Sequence, residues 1–505
     1  MTLSRRAFLA GTTAVILARA AQATGVGAAF SRDTVVQRAR DLANRRYMAR
    51  PMVPQDWQDL SYEMYKSIWF RHDRALWYDT ETPYEVDFFH PGLYFPRAIQ
   101  MHRVEDGLAY PVPFDLANFD RTDKVPALSE TGNMGFSGFR LRTELTQPGI
   151  KNEFCVFQGA SYFRAIGHGE FYGQSARGLA LKTGDPMGEE FPDFIEFWLE
   201  TPKPGQRNIV VHALLDSPSV AGAYCFDITP GPDCVMEVSA TLFPRTELGH
   251  VGLGPLTSMF LYDATDRTRF DDFRPAVHDT DGLMMWNGAG EVIWRALANP
   301  RHLQISAFGD ENPRGFGLMQ RTRALSDFAD FEANYHKRPC AWIEPKGDWG
   351  QGAVTLVEIP ADKEIYDNIV AYWRPRDPMP AGQQVDLAYR LTWGETAPVT
   401  TELPRVIKTA TGARHTGAAD LPGRIVTVDF EADPVFDDGA EAMSVHISSP
   451  HVETTKGVLQ RNPETGGLRL AFAFDPGERD LVELRAQLRK DGKMASEVWM
   501  YRWTA

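Results

Sequence analysis

Cysteine is scarce in this chain of 505 residues: there are four, and Cys155, Cys225, Cys234 and Cys340 form no CxxC pair. A thiolate zinc site or a thioredoxin-like redox centre is therefore not expected. Positive charge is also in deficit, with 53 Lys and Arg against 67 Asp and Glu, a net charge of −14. A chain of that sign repels phosphate backbones, which argues against nucleic acid as a partner. Long apolar runs are missing. The weakly apolar stretch from Gly11 to Leu17 is far short of the ~20 residues that span a bilayer, so no membrane span is expected. Common catalytic signatures are absent too. Gly173-Gln-Ser175-Ala-Arg177 fails the GxSxG elbow at its last position. Gly252-Leu-Gly254-Pro-Leu-Thr257 lacks the third glycine of a dinucleotide loop. There is no P-loop and no HExxH. Asp279-Thr-Asp281-Gly282 has its glycine two positions too early for a calcium-binding EF-hand. Neither metal nor cofactor is expected.

What is present is a globular composition rich in turn formers. Apolar residues make up 43% and charged residues 24%, enough for a packed core. The 42 Gly and 34 Pro point to many turns, as in β-rich folds, and the length points to roughly two or three domains. The N-terminus reads as a targeting signal. Ser4-Arg5-Arg6-Ala-Phe8-Leu9 matches the twin-arginine export pattern, and Ala21-Gln22-Ala23 fits a small-x-small cleavage site. Residues 1–23 are thus expected to be a signal peptide, and the mature protein to be periplasmic and exported folded.

Ser31 to Arg50 reads as a helix, because Val35, Val36, Ala39, Leu42 and Ala43 recur at helical spacing before Pro51. A second short helix is expected over Trp57 to Ile68, and a late one over Ser326 to His336. Strand signals dominate elsewhere. Tyr224–Ile228 and Val235–Ser239 read as a hairpin around Thr229-Pro-Gly-Pro-Asp233. The flanking Cys225 and Cys234 are as compatible with a cross-strand disulfide as with two buried thiols. A boundary falls near 396–404. Beyond it, residues 405–505 hold about seven short strand signals, including a hairpin across Asp491-Gly492, which suggests an immunoglobulin-like sandwich.

The chemistry on offer is a concentration of carboxylates among aromatic segments. One is His278-Asp279-Thr280-Asp281, leading to Trp286; the other is Glu364-Ile-Tyr-Asp367-Asn-Ile. Tyr335, Arg338, Trp342 and Trp349 lie between them. Paired carboxylates with flat walls are what glycoside chemistry needs: a proton donor, a base and stacking surfaces. Taken one at a time, an Asp at a strand end is more often a cap or turn residue, and a strand Trp is more often core.

Many segments resemble the periplasmic glucans biosynthesis protein family, in its G and D branches. They include Phe88-Phe-His90-Pro-Gly92, Gln158-Gly-Ala-Ser161-Tyr-Phe-Arg164, Tyr172-Gly-Gln-Ser175-Ala-Arg177, Leu214-Leu-Asp216-Ser-Pro, His278-Asp279-Thr-Asp281, Asn312-Pro-Arg-Gly-Phe and Asp367-Asn-Ile. They run in order over roughly Ala28 to Trp393, and the twin-arginine start resembles the D branch. The resemblance implies an all-β chain: a large N-terminal β-sandwich like those of sugar-processing enzymes, over 28–395, a linker over 396–404 and an immunoglobulin-like domain over 405–505. It implies an inverting enzyme of osmoregulated periplasmic glucan synthesis that acts on β-1,2-linked glucan. The general acid then matches Asp367 and the general base Asp279, the base reaching its water through a relay. Asp281 is expected to be structural. Tyr335, Arg338, Trp342, Trp349 and Trp286, with Tyr65 as a further candidate, are expected to include the sugar-binding wall. The segment between Gly412 and Arg424 is short and carries no Trp, Tyr or Phe. D-branch members have a longer, aromatic-rich loop there, so the site is expected to be more open. Endo-hydrolysis is therefore favoured over transglycosylation, with a non-catalytic glucan-binding or assembly protein as the alternative. Expected partners are β-1,2-linked glucan, a second copy of the chain, and the membrane glucan-synthesis machinery.

Overall fold

The computed structural model describes residues 27–505 apart from 133, 400, 417 and 418, without the side chains of 416–420. The expected signal peptide at 1–23 lies outside the described residues. The fold is all-β, as the turn-rich composition and the alternating segments require. Along strand Cys234–Pro244, Cys234, Met236, Val238, Ala240 and Leu242 are buried while Val235, Glu237 and Ser239 between them are half-exposed. That period of two is the pleat of a strand with one face on a core.

Two large sheets enclose the main core. The described residues form a ten-stranded sheet that crosses strands Gln351–Glu358, Ile369–Pro375, Val251–Ser258, Ser175–Arg177, Tyr162–Ala165 and Ile150–Gln158 in that order. A sixteen-stranded sheet packs against it. Aromatic rings bridge the two: Phe157 of the smaller sheet meets Phe197 and Phe226 of the larger at centroid separations of 5.7 and 5.2 Å. These edge-on contacts match the quadrupole preference of aromatic pairs.

The 396–404 segment runs between strands Val385–Gly394 and Val406–Thr416. The chain beyond it does not pack alone. Strand Val498–Thr504 pairs in parallel with Val292–Ala296, Ile293 lying opposite Val498, so the larger sheet continues into the C-terminal part. The second core unites Val426, Phe472 and Trp499 with Met284, Trp294 and Trp342 from before the boundary. A separate four-stranded sheet of Val406–Thr416, Ala419–Phe430, Leu468–Phe474 and Val458–Arg461 covers this core. Asp491 and Gly492 both have positive φ, 50° and 75°, as a tight hairpin turn across a DG pair demands.

All three helix expectations need correction. The first helix spans Arg32–Ala43, not Ser31 to Arg50. Its apolar stripe ends at Ala43, and Arg50 instead donates to Asp193 at 2.9 Å and to the Arg97 carbonyl at 3.0 Å. The expected Trp57–Ile68 helix is two single turns, Gln55–Gln58 and Tyr62–Tyr65, because the Ser61 hydroxyl accepts from Met64 N–H and starts a new helix. Ser326–His336 holds one turn at Leu325–Phe328 and a 3-10 turn at Tyr335–Lys337. Between them Asp330 takes the N–H groups of Glu332 and Ala333, which competes with helix. The Cys225–Cys234 disulfide does not form, and both thiols are free. The hairpin does form, but its register sets Cys225 opposite Ser239, five residues along from Cys234.

Candidate active site

Asp279 and Asp367 come from distant elements that meet at strand Phe260–Tyr262. That strand pairs with Val277–His278, and Asp279 N–H donates to the Met259 carbonyl at 2.8 Å. On its other side the Asn368 amide takes the place of a pairing strand: its oxygen accepts from Phe260 N–H at 2.8 Å and its nitrogen donates to Phe260 O at 2.9 Å. Asn368 thereby fixes the residue before it, Asp367, at the start of strand Ile369–Pro375. The Asp-Asn pair thus divides its work, with Asn368 as the anchor and Asp367 left free of structural bonding within that motif.

The paired acids of the His-Asp-Thr-Asp segment point to different partners. Asp279 forms an ion pair with Arg338. Asp281 accepts from Arg321 N–H at 3.0 Å, Thr322 N–H at 3.0 Å and the Thr322 hydroxyl at 2.8 Å. It clamps the loop that follows strand Gly315–Met319. Thr280 between them shares a hydrogen bond with Ser258 at 2.8 Å. Gly282 comes next, and a Cβ there would lie 2.1 Å from the Trp294 ring, so the turn tolerates no side chain at that position.

Both candidate acids bind protons more tightly than a free aspartate. Burial pushes Asp279 up to about 6; Arg338 opposes the rise and the charge of Asp367 adds to it. Asp367 is reached by solvent, yet the surrounding protein raises its pKa against the pull of Arg164, Arg177 and Arg338. Arg164 and Arg338 therefore act on both carboxylates.

A chain of polar contacts ties the two loops together. Arg338 lies over the Tyr335 ring at 4.2 Å, and the Tyr335 hydroxyl donates to Glu364 at 3.0 Å. Glu364, three residues before Asp367, pairs with Arg274 at 2.8 Å. Arg274 also holds Asp272 at 2.8 Å and Asp330 at 2.9 Å. Gly173 makes room for Arg338, since a Cβ there would sit 2.9 Å from that side chain.

The expected aromatic wall is only partly in position. Tyr335 and Arg338 stand beside Asp279. Trp342 does not: it is 1% exposed and packs in the second core beneath Gly315 and Gly317. Trp349, at 9%, belongs to the main core, where its indole N–H donates to the Ala388 carbonyl at 3.3 Å. Trp286 is half-buried under Arg314 and packs against the second core. Tyr65 turns inward, its hydroxyl donating to His90 O at 3.1 Å and its ring 4.2 Å from the His90 ring. Trp342 and Trp349 follow the ordinary preference of large aromatics for burial, and Trp286 and Tyr65 are half-buried.

Arg164, Arg177 and Tyr162 are the neighbours that sequence reasoning missed. Phe163 and Ala176 fill the core, so alternation turns Tyr162, Arg164 and Arg177 to the opposite face. Arg177 lies over the Tyr162 ring at 4.8 Å, pairs with Glu189 at 2.6 Å and donates to Thr257 at 2.8 Å. The Tyr-Phe-Arg alternation was the available signal. Among the described residues, no group of three or more His, Cys, Asp or Glu side chains is arranged to hold a metal ion, and no helix is long and apolar enough to cross a membrane.

Fold and site together define a two-sheet β protein with a pair of interacting carboxylates set among arginines. The chain belongs to the family described as "Periplasmic glucan biosynthesis protein, MdoG", which it matches over residues 30–503. It is 46% identical over 476 residues to Glucans biosynthesis protein G of Shewanella sp. (strain MR-7), covering 94% of this chain and 87% of that one. Glucans biosynthesis protein G 1 of Shewanella oneidensis gives the same identity and coverage. Its role therefore lies in periplasmic glucan biosynthesis. Among solved structures, the GH36 α-galactosidase AgaA of Geobacillus stearothermophilus is similar at 9% identity and a TM-score of 0.24, over 51% of this chain and 39% of that one. That likeness is too slight to carry an argument.

Proposed function

We propose that the chain is an inverting endo-β-1,2-glucanase of osmoregulated periplasmic glucan synthesis. One observation carries this reading: Asp279 and Asp367 are both raised in pKa, the charge of Asp367 reaches Asp279, and both feel Arg164 and Arg338, while their neighbour Asp281 is engaged in structural bonds. Inversion needs one carboxylic acid to protonate the leaving oxygen and one carboxylate to activate water on the opposite face. Asp367, reached by solvent, serves as the acid. Asp279, held as a carboxylate by Arg338, serves as the base, acting directly or through a relay. Exposed rings at the rim take the place of the buried tryptophans as stacking surfaces: Tyr366 beside Asp367, Phe331 beside Asp330, and Phe191 under Arg177 at 5.6 Å.

The substrate is a neutral glucan, and the finer expectations stay with this proposal. They are twin-arginine export, a homodimer, contact with the membrane glucan-synthesis machinery, and division into units at 396–404. The likeness to the D branch rests on the twin-arginine start, whereas the relatives named above bear the G name. Transglycosylation is the second reading; the short segment between Gly412 and Arg424, which forms the end of a hairpin, favours hydrolysis.

Incubation with linear β-1,2-glucan tests the reading. Shorter oligosaccharides with new reducing ends, of α configuration by NMR at early times, are expected. Cyclic or branched products without new reducing ends would favour transfer. An unaltered polymer that nevertheless binds would point to the assembly role.

A further inference from the structure

A cavity of about 250 Å³ is lined by Tyr162 and extends from it to Tyr94, Arg50 and Gln158; apart from Tyr162, its lining has no part in the roles above. Two turns build its rim. In one, Gly92 and Leu93 have φ of 117° and 45°, and Gly92 and Phe95 exchange backbone hydrogen bonds at 3.0 and 2.7 Å. In the other, Gly159 and Ala160 have φ of 79° and 42°, and Tyr162 N–H closes onto the Gly159 carbonyl at 2.9 Å. Leucine and alanine rarely adopt the left-handed region, and such strain persists where the surrounding structure enforces it, often at ligand clamps. Here it occurs twice around one cavity. Each turn presents one tyrosine: Tyr94, 69% exposed, and Tyr162.

The lining combines flat apolar surface with fixed polar groups. Arg50 is paired with Asp193 at 2.9 Å, and Gln158 is held by Ser137 at 3.0 Å. Asp193 neutralises Arg50, and the second lining arginine, Arg97, donates to the Arg50 carbonyl. Ring faces and oriented donors and acceptors suit a pyranose, whose C–H face stacks and whose hydroxyls need partners. The volume is on the scale of one sugar ring.

We propose that this cavity is a distal subsite that takes one glucosyl unit of the same glucan chain that is engaged at Asp367. The inference rests on the glucan reading above and deepens it. Strand Ile369–Pro375, which follows the acid, and strand Ile150–Gln158, which ends at the cavity, are four strand steps apart. At about 4.8 Å per step the separation across the strands is about 19 Å. Tyr162 is the wall nearer Asp367 and Gln158 the farther one, so a chain of several glucose units is needed to reach from the acid to the far wall, and the subsite makes recognition depend on length.

The test is calorimetric titration of the protein carrying Asp367→Asn, which stops turnover, with linear β-1,2-gluco-oligosaccharides of increasing length. Affinity should step up once the oligosaccharide is long enough to reach the cavity. Tyr94→Ala, an exposed substitution with little effect on folding, should remove that step, a loss of roughly three- to tenfold for long chains. Gln158→Ala should weaken it in the same length-dependent way. A step that survives both substitutions, or glucan binding with no step, overturns the subsite and leaves the glucan reading standing. No binding at any length overturns both.

Discussion

The guanidinium of Arg338 closes on the carboxylate of Asp279, while its other nitrogens hold the Ala333 carbonyl at 3.1 and 3.3 Å. The arginine is thus fixed before substrate arrives, and it opposes the burial that raises the pKa of Asp279, the balance falling at about 6. Lysine offers a point charge without that fork. Arg338→Gln should raise the pKa of Asp279, moving the acidic limb of the kcat/KM profile to higher pH, with a loss of at least tenfold near pH 6. Arg338→Lys should recover part of it. A profile that falls uniformly without moving would show that Arg338 acts on substrate alone.

Asp367→Asn should abolish cleavage of β-1,2-glucan, with a loss of about 10³-fold or more, and leave binding nearly intact, since the amide cannot deliver a proton but keeps the shape. Asp279→Asn should be comparably severe. Asp281→Asn should instead lower thermal stability, because it disturbs three hydrogen bonds at a buried loop. Melting curves measured beside turnover for the three variants check the division, and a reversal between Asp279 and Asp281 would sink it.

Arg274 holds Asp272, Asp330 and Glu364 together, and Glu364 connects through Tyr335 to Arg338. It is a positioning residue for both loops. Arg274→Gln should lower kcat more than it raises KM, and Glu364→Gln should reproduce a milder form of the same split. Equal changes in the two variants' stability without a kcat effect would reduce the network to packing.

Glu170 sits on the loop that leads to Phe171 and Gly173. Gly167 N–H donates to its Oε2 at 2.8 Å, while Oε1 is buried without a partner. Burial raises its pKa to about 7, with Asp233 and Glu395 adding to the rise and Arg323 opposing it. A carboxyl raised from 4.5 to about 7 holds its proton more tightly in the folded state, so stability falls as pH climbs through that window and levels off above it. Glu170→Gln cannot titrate. Its stability relative to wild type should therefore improve between pH 5 and pH 8, by on the order of 2 kcal/mol, as denaturant melts at the two pH values would show.

The sequence by itself determined the β class, the hairpins at Thr229–Asp233 and Asp491-Gly492, and the segments that hold Asp279 and Asp367. Alternation, turn chemistry and local motifs act over a few residues, so they can be read along the chain. Tertiary structure decided which aromatics face solvent. Trp342 in its strand and Trp349 in the loop after it look in sequence like a sugar wall, but burial depends on what packs above them: the second core over Trp342 and the main core over Trp349. It decided that Asn368 anchors to Phe260, that Arg164 and Arg338 bear on both acids, and that the last strand joins Val292–Ala296. Each of these joins residues far apart in the chain. Their contacts are set by sheet order and register, which no local pattern encodes.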